Sequence, residues 1–331
     1  MGWKQVAGKE GFVGEHVPGY VALYESGVIE ERARILEDSL DECGLCPCRC
    51  GVNRNAGRFG RCRTGSEIEI AAVALHPWEE PPVSGDCGSG TIFFSGCTMS
   101  CVFCQNYPIS QMGVGRSVGA AELAEAMLDL QRRGAHNINL VTSTHQMAGV
   151  LQSLVLAVPQ GLKIPLVYNT SGYETLETLR LLDGIVDIYL PDIKYSDSSA
   201  ARFCSHRPDY VEVNRAALVE MWRQAGPLQA GPDGLARRGM LVRHLVLPAG
   251  LAGTAESLRF LRKALGSEVW VSLMRQYFPA NRAMDKPPLD RKVSDEEYEA
   301  AFRCMVEFGI ENGFVQMSAE EAAWGAVNCT D

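Results

Sequence analysis

Residues 164–194 read IPLVYNTSGYETLETLRLLDGIVDIYLPDIK. The two ends, IPLVYNTS (164–171) and IVDIYLPDIK (185–194), are short apolar runs with the β-branched and aromatic content of strands. Between them, residues 174–183 carry a helical pattern. Neither run alternates polar with apolar, so each strand is buried on both faces, as in a parallel sheet covered by helices.

The same rhythm extends in both directions. Further strands are expected at GTIFFSG (90–96), NINLVT (137–142), MLVRHLVLP (240–248) and EVWVSLMRQY (268–277). Helices are expected at 118–133, 146–157, 198–225 in pieces, and 254–265. Alternating β and α with right-handed crossovers gives an α/β fold, a partial (β/α)6 TIM-like barrel two strands short of closure. Residues 227–245 interrupt the rhythm, and Asp233-Gly234 predicts a hairpin there. A helix is expected over 24–41, and another over 294–311, opened by Ser294 with Glu297 three residues on. The chain divides into a helix and Cys-rich segment (1–66), an α/β core (67–277) and a C-terminal extension (278–331).

Composition narrows the function classes. The chain has 331 residues, 46% hydrophobic, with a formal net charge of −9. That charge argues against nucleic-acid binding as the main role. No apolar run reaches about 18 residues and the N-terminus has no apolar signal core, so a cytoplasmic protein with no membrane span is expected. Nine of the 12 cysteines fall between Cys43 and Cys104, the others being Cys204, Cys304 and Cys329. In a reducing compartment, clustered thiols point to metal or chemistry.

The strand at 90–96 runs directly into Cys97-Thr-Met-Ser-Cys101-Val-Phe-Cys104. Such a loop, at the C-terminal end of a parallel strand, is where α/β folds carry their active sites. Its short spacings let one loop wrap an iron–sulfur cluster. Three thiols for four irons would leave one iron open to a ligand. A zinc site closed by a distant fourth ligand is the other reading.

Cys-x3-Cys-x2-Cys after a strand, with Phe103 before the third cysteine, resembles the radical S-adenosylmethionine (SAM) superfamily. Cys104-Gln-Asn106 is similar to the pyruvate formate-lyase activating enzymes. GSGTIFFSGC, NINLVTSTH, VYNTSGYETLETLRLLDGIVDIYLPDIKY and LVRHLVLPAGLAGT resemble the PflX-type proteins among them. The resemblance covers about residues 43–280. It implies that Cys97, Cys101 and Cys104 ligate a [4Fe–4S] cluster whose fourth iron chelates SAM. Reductive cleavage of SAM would give a 5′-deoxyadenosyl radical that takes hydrogen from a protein, such as the glycine of a glycyl-radical enzyme, or from a small molecule. It also implies an electron donor such as flavodoxin or ferredoxin.

Other candidates sit at strand ends. The superfamily's Gly-Gly-Glu motif after the second strand is missing; Thr142, Thr144 and His145 stand there as possible acceptors for the SAM ammonium. Asn169 and Ser171 could reach the ribose or carboxylate, or simply form a turn. Asp192 and Lys194, two apart, share a strand face, as cofactor ligands or as an internal ion pair. Arg243 interrupts an apolar strand and could bind the SAM carboxylate, or pair with Asp187 or Asp192. His76, Glu79 and Glu80, in HPWEEPP, either line the site's mouth or form a surface connection. Cys43-x2-Cys46-x3-Cys50-x11-Cys62 matches the same relatives and could hold zinc or a second iron–sulfur cluster; Cys48 and Cys87 are extras. Residues 43–65 have almost no apolar side chains, five arginines and no acids, so metal is the expected source of their order and a solvated face the expected place of the arginines. A non-catalytic iron–sulfur redox or sensor module is the competing class, but such a carrier wants four protein ligands on its cluster.

Overall fold

The computed structural model describes residues 2–6, 11–12 and 16–317; Cys329 lies outside them. All six expected strands form: β1 (Ser89–Phe94), β2 (Ile138–Val141), β3 (Leu166–Thr170), β4 (Ile188–Pro191), β5 (Ala236–Leu245) and β6 (Trp270–Met274). They pair in chain order, each parallel to the next. The helices between them also form, and Thr254–Leu265 falls where the periodicity puts it. Gln229–Ala230 runs antiparallel to the start of β5 across a turn at Asp233-Gly234, the expected hairpin. The helix Asp295–Glu307 opens with both halves of the Ser294–Glu297 capping box.

Four further strands of the sheet, two at each edge, escape the periodicity. A seventh parallel strand, β7 (Asn312–Gln316), pairs with β6, and Trp3–Val6 pairs antiparallel to β7. NGFVQ is too short and polar to stand out. At the other edge Ile68–His76 pairs antiparallel to β1, and Arg116–Val118 pairs with it in turn. Its sequence, IEIAAVALH, is half alanine and small apolar residues, with weak strand preference. The sheet does not close on itself. The helix expected over 24–41 is two, Gly19–Glu25 and Val28–Asp38, broken where Gly27 takes a left-handed φ of 75°.

The Cys-rich segment departs most from expectation. Arg54 is 1% exposed, among the largest fully buried side chains. Its Nε donates to the Gly65 carbonyl at 2.8 Å, and its terminal nitrogens reach the His145 carbonyl (2.8 Å) and the Thr64 hydroxyl (3.2 Å). The Thr175 and Thr178 hydroxyls donate to the Leu45 carbonyl at 3.2 and 2.8 Å. One of the arginines expected on a solvated face is thus buried, its guanidinium satisfying oxygens of this irregular backbone.

Replacing Arg54 by methionine keeps the stem and strands those carbonyls. The variant is expected to lose roughly 3 kcal/mol in urea unfolding and to be cut by protease within residues 43–65. Arg58→Met, at an exposed position, should match wild type in both assays. Equal stability of the two variants would refute the assignment.

Candidate functional site

A cavity of about 310 Å³ opens at the C-terminal ends of β1 to β6. Each strand, or the residues just after it, contributes to the lining: Phe93, Thr142, Asn169 to Ser171, Asp192 with Lys194, Arg243 and Met274. Cys97, Cys101, Phe103 and Cys104 form another wall, and His76 and Glu79 reach in from the segment before β1. Sequence position thus located Cys97, Cys101, Cys104, Phe103, Thr142, Asn169, Ser171, Asp192, Lys194 and Arg243 on one cavity.

The cysteine loop is pinned on all sides. Arg207, 6% exposed, donates two hydrogen bonds to the Thr98 carbonyl, at 3.0 and 2.5 Å. Gln111 Nε2 and Asn281 Nδ2 donate to the Cys101 carbonyl at 2.8 and 3.3 Å. Backbone bonds tie Val102 to Cys204 and to Arg282. Phe103 meets Tyr277 edge-on with centroids 5.7 Å apart. Before the loop, Gly96 has φ +84°, and a Cβ there would lie 2.5 Å from the Cys62 carbonyl oxygen, so the approach to the Cys-rich segment needs glycine.

Each of the three thiols meets a polar group. The Met99 amide donates to Cys97 Sγ (3.4 Å), the Ser205 hydroxyl to Cys101 Sγ (3.0 Å), and the Ser110 hydroxyl lies 3.2 Å from Cys104 Sγ. Burial pushes the Cys97 thiol up to about 12 and raises that of Cys104, and the neighbouring thiol of Cys101 adds to both. Three soft thiolate ligands on one cavity wall, with donors aimed at the sulfurs, fit a cluster. Among the described residues no three His, Cys, Asp or Glu side chains converge on a single-ion site. A cubane is consistent with that, since its ligands bind separate irons.

Lys194 Nζ pairs with Asp192 Oδ2, and both line the cavity. Burial pushes the lysine's pKa down, but Asp192 and then the Cys101 and Cys104 thiols hold it above its ordinary value. Arg243 pairs with neither Asp187 nor Asp192. Its Nε donates to Glu80 Oε1 (2.9 Å), and one terminal nitrogen reaches Glu80 Oε2 (2.5 Å) and Glu79 Oε2. Asp187, at the opposite end of β4, accepts from the Leu166 and Gly19 amides and contacts His16.

Thr144 and His145 do not join the lining. Thr142 has φ +59°, costly for a β-branched residue, and the chain turns down into the core after it. The Thr144 hydroxyl donates to Glu174 Oε1 at 2.7 Å. His145 Nε2 lies 2.7 Å from the Ser95 carbonyl oxygen, and burial lowers its pKa to about 4, so the ring is neutral and donates that proton. His145 supports the chain just ahead of the cysteine loop from beneath. Glu174, Arg207, Gln111, Asn281 and Ser205 carry no local motif; only long-range contact identifies them.

In the Cys-rich segment, Cys43, Cys46 and Cys62 are buried and Cys48 and Cys50 half-buried. The Cys50 and Cys62 thiols flank Gly60, where a Cβ would stand 3.4 and 3.3 Å from them. Cys43 Sγ lies 3.8 Å from the Arg54 guanidinium, and Cys48 Sγ is 3.6 Å from the Thr98 carbonyl in the cysteine loop. Cys87 is exposed.

Residues 91–226 match the family model of the radical SAM superfamily. An uncharacterized protein of Methanocaldococcus jannaschii is 29% identical over 295 residues, covering 86% of this chain and 80% of that one. Among solved structures, Streptococcus suis SuiB bound to the precursor peptide SuiA aligns with a TM-score of 0.46 and 11% identity, over 70% of this chain and 49% of that one. The family match makes residues 91–226 a radical SAM superfamily domain, the mark of SAM-cleaving radical chemistry whose cofactors are a [4Fe–4S] cluster and SAM. Among the described residues no helix is long and apolar enough to cross a membrane.

Beneath the cavity Glu174 is 2% exposed, and burial pushes its pKa up to about 7 against the hydroxyls of Thr170, Thr144 and Tyr168 that favour its charge. A carboxyl with its folded pKa raised keeps its proton in the native state after the unfolded chain has lost it. Its stabilising contribution is full below the unfolded pKa, about 4.3, and is lost as pH rises through 7. Glu174→Gln cannot ionise, so its stability relative to wild type should rise between pH 5 and 8 by up to roughly 3 kcal/mol. Urea unfolding at pH 5, 6, 7 and 8 measures the gap; a pH-independent gap would contradict it.

Proposed function

We propose that Cys97, Cys101 and Cys104 hold the [4Fe–4S] cluster, with SAM in the cavity beside them, and that the chain takes hydrogen from a protein or small-molecule substrate as pyruvate formate-lyase activating enzymes do. The observation that carries this reading is the meeting of three thiols and six strand ends on one cavity. When bound, cluster and SAM supply a 5′-deoxyadenosyl radical once an electron arrives from a donor such as flavodoxin or ferredoxin. The chain's own residues position and shield. Lys194, paired with Asp192, offers an ammonium donor on the wall it shares with Cys101 and Cys104. Thr142, Asn169 and Ser171 offer short polar groups to the ribose and methionine ends of SAM. Phe103 and Tyr277 pack an apolar wall behind the loop, which keeps water from a reactive radical. A protein glycine is the substrate that the resemblance to activating enzymes favours.

Single alanine replacements at Cys97, Cys101 and Cys104 test the cluster. After anaerobic reconstitution with dithionite and SAM, wild type should release 5′-deoxyadenosine and each variant only background. Product from the triple variant at the wild-type rate would sink the reading.

A second metal centre at Cys43, Cys46, Cys50 and Cys62 belongs to the same proposal. Its supports are the burial of three of these thiols and the cation of Arg54 beside Cys43, which would offset a thiolate's charge. Since no three of these thiols converge on a single-ion site, the variant lacking all four should lose cluster iron beyond the four irons of the main cluster rather than zinc. Elemental analysis decides, and identical metal content in wild type and variant would leave these cysteines without that role.

A further inference from the structure

We infer that Glu79 is the carboxylate that receives the α-ammonium group of SAM. The inference rests on the reading of the cavity as a SAM site and names one of its recognition contacts.

The argument starts from charge. One guanidinium, Arg243, faces two carboxylates. Glu80 takes two of its hydrogen bonds, at 2.9 and 2.5 Å, and is fully buried. Glu79 shares a terminal nitrogen of the same guanidinium. The trio therefore carries one surplus negative charge. Glu79 lines the cavity and Glu80 does not, so the surplus is presented there. Across the cavity Asp192 and Lys194 cancel. Glu79 is only 8% exposed, and a buried charge without a full partner is costly unless a cation meets it.

SAM suits that surplus, since its sulfonium and ammonium outweigh its single carboxylate. Of the two cationic groups only the ammonium has N–H donors, and charge-assisted hydrogen bonds to a carboxylate are the strong ones. Glu79 has acceptor capacity left. Its Oε1 takes one bond from Asn139 Nδ2 at 3.0 Å, and each carboxylate oxygen can accept two. Just after β2, Thr142 lines the cavity with an uncharged hydroxyl, while Thr144 is committed to Glu174 and His145 to the Ser95 carbonyl. The segment ahead of β1 supplies the carboxylate that the segment after β2 does not.

Glu79→Gln removes the surplus while leaving Arg243 balanced by Glu80, so the variant should fold. The test is equilibrium dialysis on anaerobically reconstituted wild type and variant with matched iron content. Two ligands are used: SAM, and the sulfonium analogue lacking the α-amino group. Glu79→Gln should bind SAM roughly ten- to a hundredfold more weakly than wild type and bind the analogue equally well. Glu79→Asp, which keeps the charge but draws it back by one methylene, should also lose SAM affinity and keep that for the analogue. It decides the matter should the glutamine variant not fold. SAM binding at wild-type strength in the variants would overturn the inference, as would equal losses for both ligands, since Glu79 would then serve only to position Arg243. Wild type that binds no SAM would instead bring down the reading of the cavity itself, and the inference with it.

Discussion

An unclosed sheet needs something other than backbone hydrogen bonds to hold its two sides at a fixed distance, and here that is the buried pairing of Arg243 with Glu80 and Glu79. Arg243 projects from β5, while the two glutamates lie in the segment between Ile68–His76 and β1. Glu79 also accepts from Asn139 on β2. Burial works against the charge of Glu80, but Arg243 holds its pKa below the usual carboxylate range. One cation thereby joins the segment before β1 to strands on both sides of the sheet. Such a tie adds little net stability over an apolar core, yet removing Arg243 would leave two buried carboxylates unpaired and cost roughly 3–5 kcal/mol. Its value here is positional: it fixes the floor on which the cavity is built.

The cysteine loop depends on that floor and on two other arginines. Arg207 holds the loop through the Thr98 carbonyl, and Arg54 holds the Cys-rich segment against the carbonyls of Gly65 and His145. Gly96 brings the two irregular stretches into backbone contact. All three guanidiniums do the same job, satisfying oxygen atoms that no regular element could pair once buried. The fold uses arginine where loops must be both irregular and rigid.

The parts of this arrangement legible in the sequence are local. Six apolar runs announced six strands because burial on both faces leaves a continuous signal. The cysteine triplet was legible because its ligands share one loop, and Asp192 with Lys194 because strand periodicity puts positions two apart on one face. The misreadings share a cause too. Thr144 and His145 are candidates for the cavity only by their place after a strand end, and the positive φ of Thr142 turns the chain inward. For Arg243 the sequence leaves a SAM carboxylate, Asp187 or Asp192 as partners, whereas the two glutamates it pairs with come from a segment more than 160 residues earlier in the chain (|i−j| of 163 and 164). Arg54 looked like one of five surface arginines, since nothing in a charge run shows which member is swallowed by the fold. Long-range pairing of single polar residues has no period, so pattern reading passes over it.

The same region where pattern reading fails is where the fold accepts local cost. Asn139 Oδ1, Ser143 Oγ, His145 Nδ1, Gln146 Nε2 and Glu174 Oε2 are buried polar atoms without a hydrogen-bond partner among the described residues, and all belong to β2, the turn after it, or the turn after β3. Thr142, with its left-handed backbone, stands at the head of this group. Each unsatisfied atom costs roughly 1–3 kcal/mol, and a strained residue about as much. The surrounding core, from Leu140 and Tyr168 to Leu179, is fully buried and supplies the packing that tolerates it. A stretch that gives up hydrogen bonds and accepts backbone strain directly under a cavity has been shaped by what the cavity must hold rather than by the stability of the sheet. Five of the ten partnerless buried polar atoms among the described residues gather in this one stretch, under the cavity that the cysteine loop walls.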